Sequence, residues 1–289
     1  MSDNRQEKLR FGTVGSPQTT PRSGTQNAIP HMVDLGLQHL EIAWTRSVRV
    51  KDETCAEIQA LSQEHGISFS VHAPYFINLN SQTSEKMAAS DERLLTAARK
   101  GYAAGARDIV FHPGSYHKQP PEQVYERVKE KLLELTGILR EEGTTVILRP
   151  ETMGKSANFG NLAEIVELSA EVDGVLPCID WAHCHARRGD GSFNSYQEFA
   201  DALSLMHEKL GDDILQNEMH FHMSGIAYTE KGEKEHLPLN EADLDYRALL
   251  QALVDFEVGG TVGVEAPHPF HTADALLLQA TYRRLLEQS

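Results

Sequence analysis

Residues 85–112 read EKMAASDERLLTAARKGYAAGARDIVFH and hold one complete unit of the fold. Over Glu85–Ala104 the apolar residues recur with the spacing of a helix face. Gly105 follows at once, where a left-handed helix cap costs glycine least. Asp108–His112 then sets isoleucine, valine and phenylalanine between a charge and a histidine, a strand pattern. The joint recurs at Glu141-Glu142-Gly143, ahead of a strand expected over Thr145–Leu148.

Outward from that unit the alternation continues. Strands are expected at Phe11–Val14, His39–Ala43, Ser68–His72, Val175–Asp180, Glu218–His222 and Thr261–Glu265 as well. Helical periodicity marks Ala56–Glu64, Pro121–Glu142, Leu162–Glu171, Tyr196–Lys209, Leu244–Phe256 and Ala273–Leu286. Eight strands alternating with helices predict an α/β fold, a single (β/α)₈ TIM barrel over residues 11–289 behind a tail of residues 1–10. The longest loops are expected at Trp181–Ser195 and Met223–Glu241, on the face where such barrels carry their chemistry. A doubly wound open sheet fits less well, because Gly12-Thr13-Val14-Gly15-Ser16-Pro17 is a poor phosphate-binding turn.

Composition narrows the classes. The length of 289 residues suits one barrel of this kind, and no apolar run nears the roughly 20 residues that span a bilayer. The opening MSDNRQEKLR is too polar for a secretory signal, and three cysteines make no disulfide framework, so a cytoplasmic protein is expected. A net charge of -15 opposes nonspecific attraction to nucleic acid. Fourteen histidines exceed what packing calls for.

Their placement matters more than their number. From the third strand onward the C-terminal ends carry His72, His112, Glu151, Asp180 with His183 three residues on, His222, and Glu265. Barrel strand ends converge on one bowl, so residues distant in sequence meet there. One histidine in such a place is more often a hydrogen-bonded structural residue than a ligand. Six successive ionisable ends are different, because crowding them without a cation is costly. Histidine with carboxylate is ligand chemistry for zinc, manganese or iron. His222 is preferred to His220 as the ligand because it lies nearer the loop, though both share a strand face.

The segments Val71-His72-Ala73-Pro74-Tyr75-Phe76-Ile77-Asn78-Leu79, Phe111-His112-Pro113-Gly114-Ser115, Pro150-Glu151-Thr152-Met153-Gly154-Lys155 and Cys178-Ile179-Asp180-Trp181-Ala182-His183 resemble the signature segments of endonuclease IV. The resemblance reaches from the third strand to Glu265 and marks the chain as a divergent member. It implies a zinc-dependent barrel that cuts DNA on the 5′ side of abasic sites, with two or three zinc ions and manganese or iron as alternatives. His72, His112 and Glu151 match one site. Glu151, as the bridging and catalytic carboxylate, Asp180, His222 and Glu265 match a second. His183 and His236 match a third, and Tyr75 and Asn78 match residues that hold the substrate or support the site.

The chain departs from that pattern in three places. Lys234 stands where the third site has an aspartate, leaving Glu233 or Glu235 as substitutes, or the lysine itself as a neutralising charge near the leaving oxygen. Met223-Ser224-Gly225 replaces the usual Asn-Asp-Ser, and the first strand lacks a histidine-containing opening. Arg46, Arg49, Lys51, Lys118, Lys155, Arg187 and Arg188 fall in loops on the ligand face and are candidates for contacting DNA phosphates. The expected partner is abasic DNA, with no membrane and no second subunit. A sugar isomerase or epimerase on the same kind of barrel is the alternative, favoured by the acidic charge. A barrel that binds without catalysis is the third reading.

Overall fold

A computed structural model describes residues 7–289. The elements run β1 (Leu9–Val14), α1 (Thr25–Leu35), β2 (His39–Ala43), α2 (Asp52–His65), β3 (Ser68–His72), α3 (Ser84–Ala103), β4 (Asp108–Phe111), α4 (Pro121–Glu141), β5 (Ile147–Pro150) and α5 (Leu162–Glu171). They continue with β6 (Cys178–Asp180), α6 (Trp181–Arg187), α7 (Tyr196–Asn217), β7 (Met219–Met223), β8 (Gly225–Thr229), β9 (Gly232–Leu237), α8 (Tyr246–Asp255), β10 (Gly260–Val264) and α9 (His271–Gln288). Parallel pairing runs in the order β5-β4-β3-β2-β1-β10-β7-β6. Two single parallel bridges, Leu148 to Val175 and Glu151 to Cys178, join β5 to β6 and all but close the ring. The expected (β/α)₈ barrel is present.

The joints read from sequence are built as expected. Gly105 and Gly143 take φ of 85° and 73°, each ending a helix just before a strand. Some bounds differ. β1 starts at Leu9 rather than Phe11, and β5 lies two residues later than expected, so that Glu151 follows it directly. The helix α1, interrupted in composition by Pro30, was not anticipated. The expected loop Trp181–Ser195 opens instead with α6, and Met223–Glu241 folds largely into the β8–β9 hairpin.

Alternation along the strands sorts side chains by chemistry. Leu40, Ile42, Phe69, Val71, Phe221 and Val262 are buried in the apolar core. Their alternate neighbours His39, Glu41, Ser70, His72, His220 and His222 are buried polar groups that meet across the barrel interior. At the N-terminal end Arg149 fills the barrel, donating to Asp108 at 2.6 Å and to the carbonyls of Pro177 and Glu218. Packed apolar matter is thus kept to the layer between strands and helices. The barrel axis is left largely to polar and ionisable groups.

Candidate metal centre

The uppermost layer of that axis converges on Glu151, which is fully buried. Its Oε2 lies 3.2 Å from Nε2 of both His72 and His112. Its Oε1 lies 3.2 Å from His222 Nδ1 and 3.3 Å from His183 Nδ1. Donor atoms of the expected ligands fall into three groups, each within 4.8 Å: His72, His112 and Glu151; Glu151, Asp180, His222 and Glu265; and Asp180, His183 and His236; two further groups, His39, Glu41 and His220, and Cys178, His220 and His222, share the barrel axis. All eight residues expected as ligands therefore come to one place.

Hydrogen bonds decide which ring nitrogen faces inward. His72 Nδ1–H donates to the Ala73 carbonyl at 2.9 Å, and His183 Nδ1–H to that of Thr152 at 2.9 Å. His236 Nδ1–H donates to the Glu265 carbonyl at 3.1 Å. Each leaves Nε2 facing the centre, where a cation could take the place of its proton, and the two Nε2 atoms of His183 and His236 stand 3.1 Å apart. His222 is turned the other way, with Nε2 on Glu41 at 3.1 Å and Nδ1 toward the centre. A fixed second nitrogen is what ligating histidines require.

Two observations test whether these residues fit cations. Asp180 Oδ2 is buried and lacks a hydrogen-bond partner, although such an atom is costly to leave alone. Four imidazoles also crowd one carboxylate. Burial by itself would raise the Glu151 carboxyl, but the His222 charge and the hydrogen bonds from His112, His183 and His222 outweigh it and hold Glu151 well below the carboxylate range. Conversely, burial works against protonation of His72, yet Glu151 lifts it to about 9. His183 is lifted against the same penalty to about 10 by Asp180 and Glu151. Without cations, protons supply the positive charge. The donor set fits metal ions that would replace them.

The hairpin β8–β9 completes the wall. Ile226 pairs with His236 and Ala227 with Glu235, but Tyr228 pairs with Glu233, so Lys234 is the extra residue of a β-bulge. In a regular strand Glu233 and His236, three apart, would point to opposite faces; the bulge brings them to one. Glu233 Oε2 lies 3.7 Å from His183 Nε2, while Lys234 is exposed and pairs with Glu235 at 3.0 Å. Lys234 therefore points away from the centre, which corrects its expected role as a neutralising charge there. Gly154 makes room: a Cβ on it would stand 2.7 Å from Glu233 Cβ and 2.9 Å from His183 Cδ2.

Above the donors opens a cavity of about 420 Å³, lined by Tyr75, His112, His183, Glu233, His236 and Glu265 among others. Tyr75 stacks on His112 with ring centres 5.0 Å apart. Asn78 is not brought to the cavity. Its side chain accepts from Asn80 N at 2.9 Å and meets His117 Nε2 at 3.0 Å, tying two loops together. Arg187 is likewise spent, on the carbonyls of Met153, Lys155 and Asn158, and so is withdrawn from the expected phosphate-binding set. Arg188 reaches Ser192 and Glu198.

The residues 30–283 match the profile of the xylose isomerase-like TIM barrel family. The chain belongs to that family. An uncharacterised protein of Methanocaldococcus jannaschii is 36% identical over 98% of this chain and all of its own length. A probable endonuclease 4 of a Geobacillus species is 32% identical over 60% of this chain and 57% of its own length. Endonuclease IV from Thermus thermophilus has the same fold, with a TM-score of 0.74 at 21% identity, covering 97% of this chain and all of that one. A D-tagatose 3-epimerase-like protein shares it too, at 0.71 and 16%, covering 96% and 98%. The likeness to endonuclease IV read from the strand ends is that of a divergent member, within a fold that epimerases also use.

Proposed function

We propose that this family member is a metal-dependent phosphodiester hydrolase that cuts DNA 5′ to abasic sites. The observation that carries the reading is the grouping of five imidazoles, of His72, His112, His183, His222 and His236, with three carboxylates into three donor sets sharing Glu151 and Asp180. His72, His112 and Glu151 would hold one cation; Glu151, Asp180, His222 and Glu265 a second; His183 and His236, with Glu233 as the carboxylate, a third. Zinc suits these nitrogen and oxygen donors. When bound, such ions lower the pKa of water from about 15.7 toward about 7 and neutralise charge at a phosphoryl group.

The chain's own groups supply the rest. Glu151 links the donor sets and orients whatever binds between its two oxygens. Tyr75, which lines the cavity and is 46% exposed, offers aromatic surface there, where unstacked nucleotides are commonly gripped, and the next residue, Phe76, is 64% exposed. A missing base makes such a nucleotide cheap to turn out of the helix. Phosphate contacts fall to Arg46, Arg49, Lys51, Lys118 and Lys155, and Asn78 supports the loop that carries Tyr75.

Nicking of a duplex carrying an abasic analogue tests the reading. Zinc- or manganese-loaded protein should cut it once, on the 5′ side, and a chelator should stop the reaction. Intact duplex after loading would overturn the DNA assignment. The acidic charge of -15 favours the second reading, a sugar epimerase. An epimerase with one cation would have no use for the set formed by His183, His236 and Glu233, so conversion of ketoses by protein holding a single ion would select it.

A further inference from the structure

Directly beneath the donor sets lies a carboxylate that the hydrolytic reading leaves unused. Glu41, on β2, is fully buried and has no contact with the cavity. Its Oε1 is 3.1 Å from His222 Nε2, and its Oε2 is 2.9 Å from His220 Nε2 and 2.5 Å from Ser70 Oγ. His220 is itself fixed by Thr261 at 2.6 Å through Nδ1, and Ser70 by His39 at 3.0 Å. Arg149, the buried cation at the N-terminal end of the barrel, is engaged by Asp108 and two carbonyls. A charged group buried this deeply costs several kcal/mol unless opposite charge compensates it, so packing alone gives no reason for a glutamate here.

The orientation of His222 supplies one. Its Nδ1 faces Glu151 Oε1 at 3.2 Å and Glu265 Oε1 at 3.7 Å. With its proton on Nδ1 the ring would donate to those carboxylates and could not bind a cation among them. A carboxylate at Nε2 draws the proton to the lower nitrogen, leaves the Nδ1 lone pair free, and makes it more basic. Ser70 and His220 hold that carboxylate in place by donating to its other oxygen.

We propose that Glu41 is a positioning residue for the second cation site, fixing the His222 tautomer and strengthening its Nδ1 as a ligand. This rests on the reading of His222 as a ligand. The test measures zinc affinity, by competition with a chromophoric chelator, for the full chain and for Glu41→Gln and Glu41→Ala, alongside zinc content and the Tm of each metal-free protein. Glu41→Gln keeps an acceptor and loses the charge. One cation should bind about 10- to 100-fold more weakly in it, the range for losing a partner behind a ligand, and at least as weakly in Glu41→Ala. The other cations should be retained. Ser70→Ala, which loosens Glu41 without touching His222, should weaken the same cation by a smaller factor, and it serves if the Glu41 variants do not fold. Affinity unchanged within about two-fold in a folded Glu41→Gln or in Ser70→Ala, while the wild-type chain binds zinc, would overturn the role of Glu41 alone. A wild-type chain that binds no zinc would overturn the metal reading with it.

Discussion

At the level of single residues, Glu151 carries most of the account. It lies within 3.3 Å of four imidazoles, two at each of its oxygens. Glu151→Gln should lower nicking by about 10²–10³-fold, as loss of a preorganised charged group does, with at least one cation lost on elemental analysis. His222→Ala and Glu265→Ala should each lose metal as well; full occupancy in both would mean the centre is misplaced. Proton balance gives a further prediction. His72 at about 9 and His183 at about 10 stand above the 6.5 of an unfolded histidine. Their elevation therefore stabilises metal-free protein fully below pH 6.5 and is lost as pH rises through 9 and 10. Glu151, held low by the charge and hydrogen bonds of the same imidazoles, contributes stability above the carboxylate range that fades as those rings lose their protons. Chelated protein should thus lose Tm relative to zinc-loaded protein between pH 6.5 and 9, and zinc should bind more tightly over the same interval. Parallel Tm curves for the two forms would contradict this. Most of these residues were legible in the sequence, because strand ends are visible and histidine there is uncommon. Glu41 was not, since its carboxylate lies within a strand rather than at its end. A charged residue in the otherwise short apolar run His39–Ala43 was the signal available.

At the level of elements, the hairpin β8–β9 is where sequence reading ran out. Its polar stretch Glu233-Lys234-Glu235 shows no apolar alternation, so it passed for loop, and a bulge leaves no mark on composition. The bulge explains why Lys234 occupies an expected ligand position without acting as one: it is the residue squeezed out of register. Three variants test that geometry. Glu233→Ala should remove the third cation, and Glu235→Ala should not. Deleting Lys234 straightens the strand yet leaves Glu233 and His236 on one face, two residues apart, so zinc content should persist. Loss of the third ion on that deletion, or its survival in Glu233→Ala, would refute the assignment. Gly154→Ala probes the same wall from the loop after β5. Its Cβ would meet Glu233 and His183 below 3.0 Å, so the hairpin must shift and the third ion be weakened. The helices were easier to read, with α5 matching its expected bounds, because apolar periodicity and an Asn161–Glu164 capping box coincide there. Helix α1 escaped because Pro30 interrupts its pattern.

Across the whole molecule, the barrel separates two tasks. Apolar residues between strands and helices hold the fold, while the axis stacks Arg149 and Asp108, then Glu41 with its histidines, then the donor sets beneath the cavity. Sequence periodicity predicts the first arrangement directly. The stacking is a property of the closed ring, where strands distant in sequence face each other, and no local pattern displays it. Arg187 shows the converse: a basic residue in a loop on the correct face, spent on backbone carbonyls that only the fold brings within reach. Anomalous diffraction at the zinc edge, from crystals of the purified chain, locates the cations themselves. Peaks are expected at three positions, against Nε2 of His72 and His112, against Nδ1 of His222 with Asp180 and Glu265, and against Nε2 of His183 and His236. No peak within reach of Glu151, or peaks only in separate surface pockets, would contradict this.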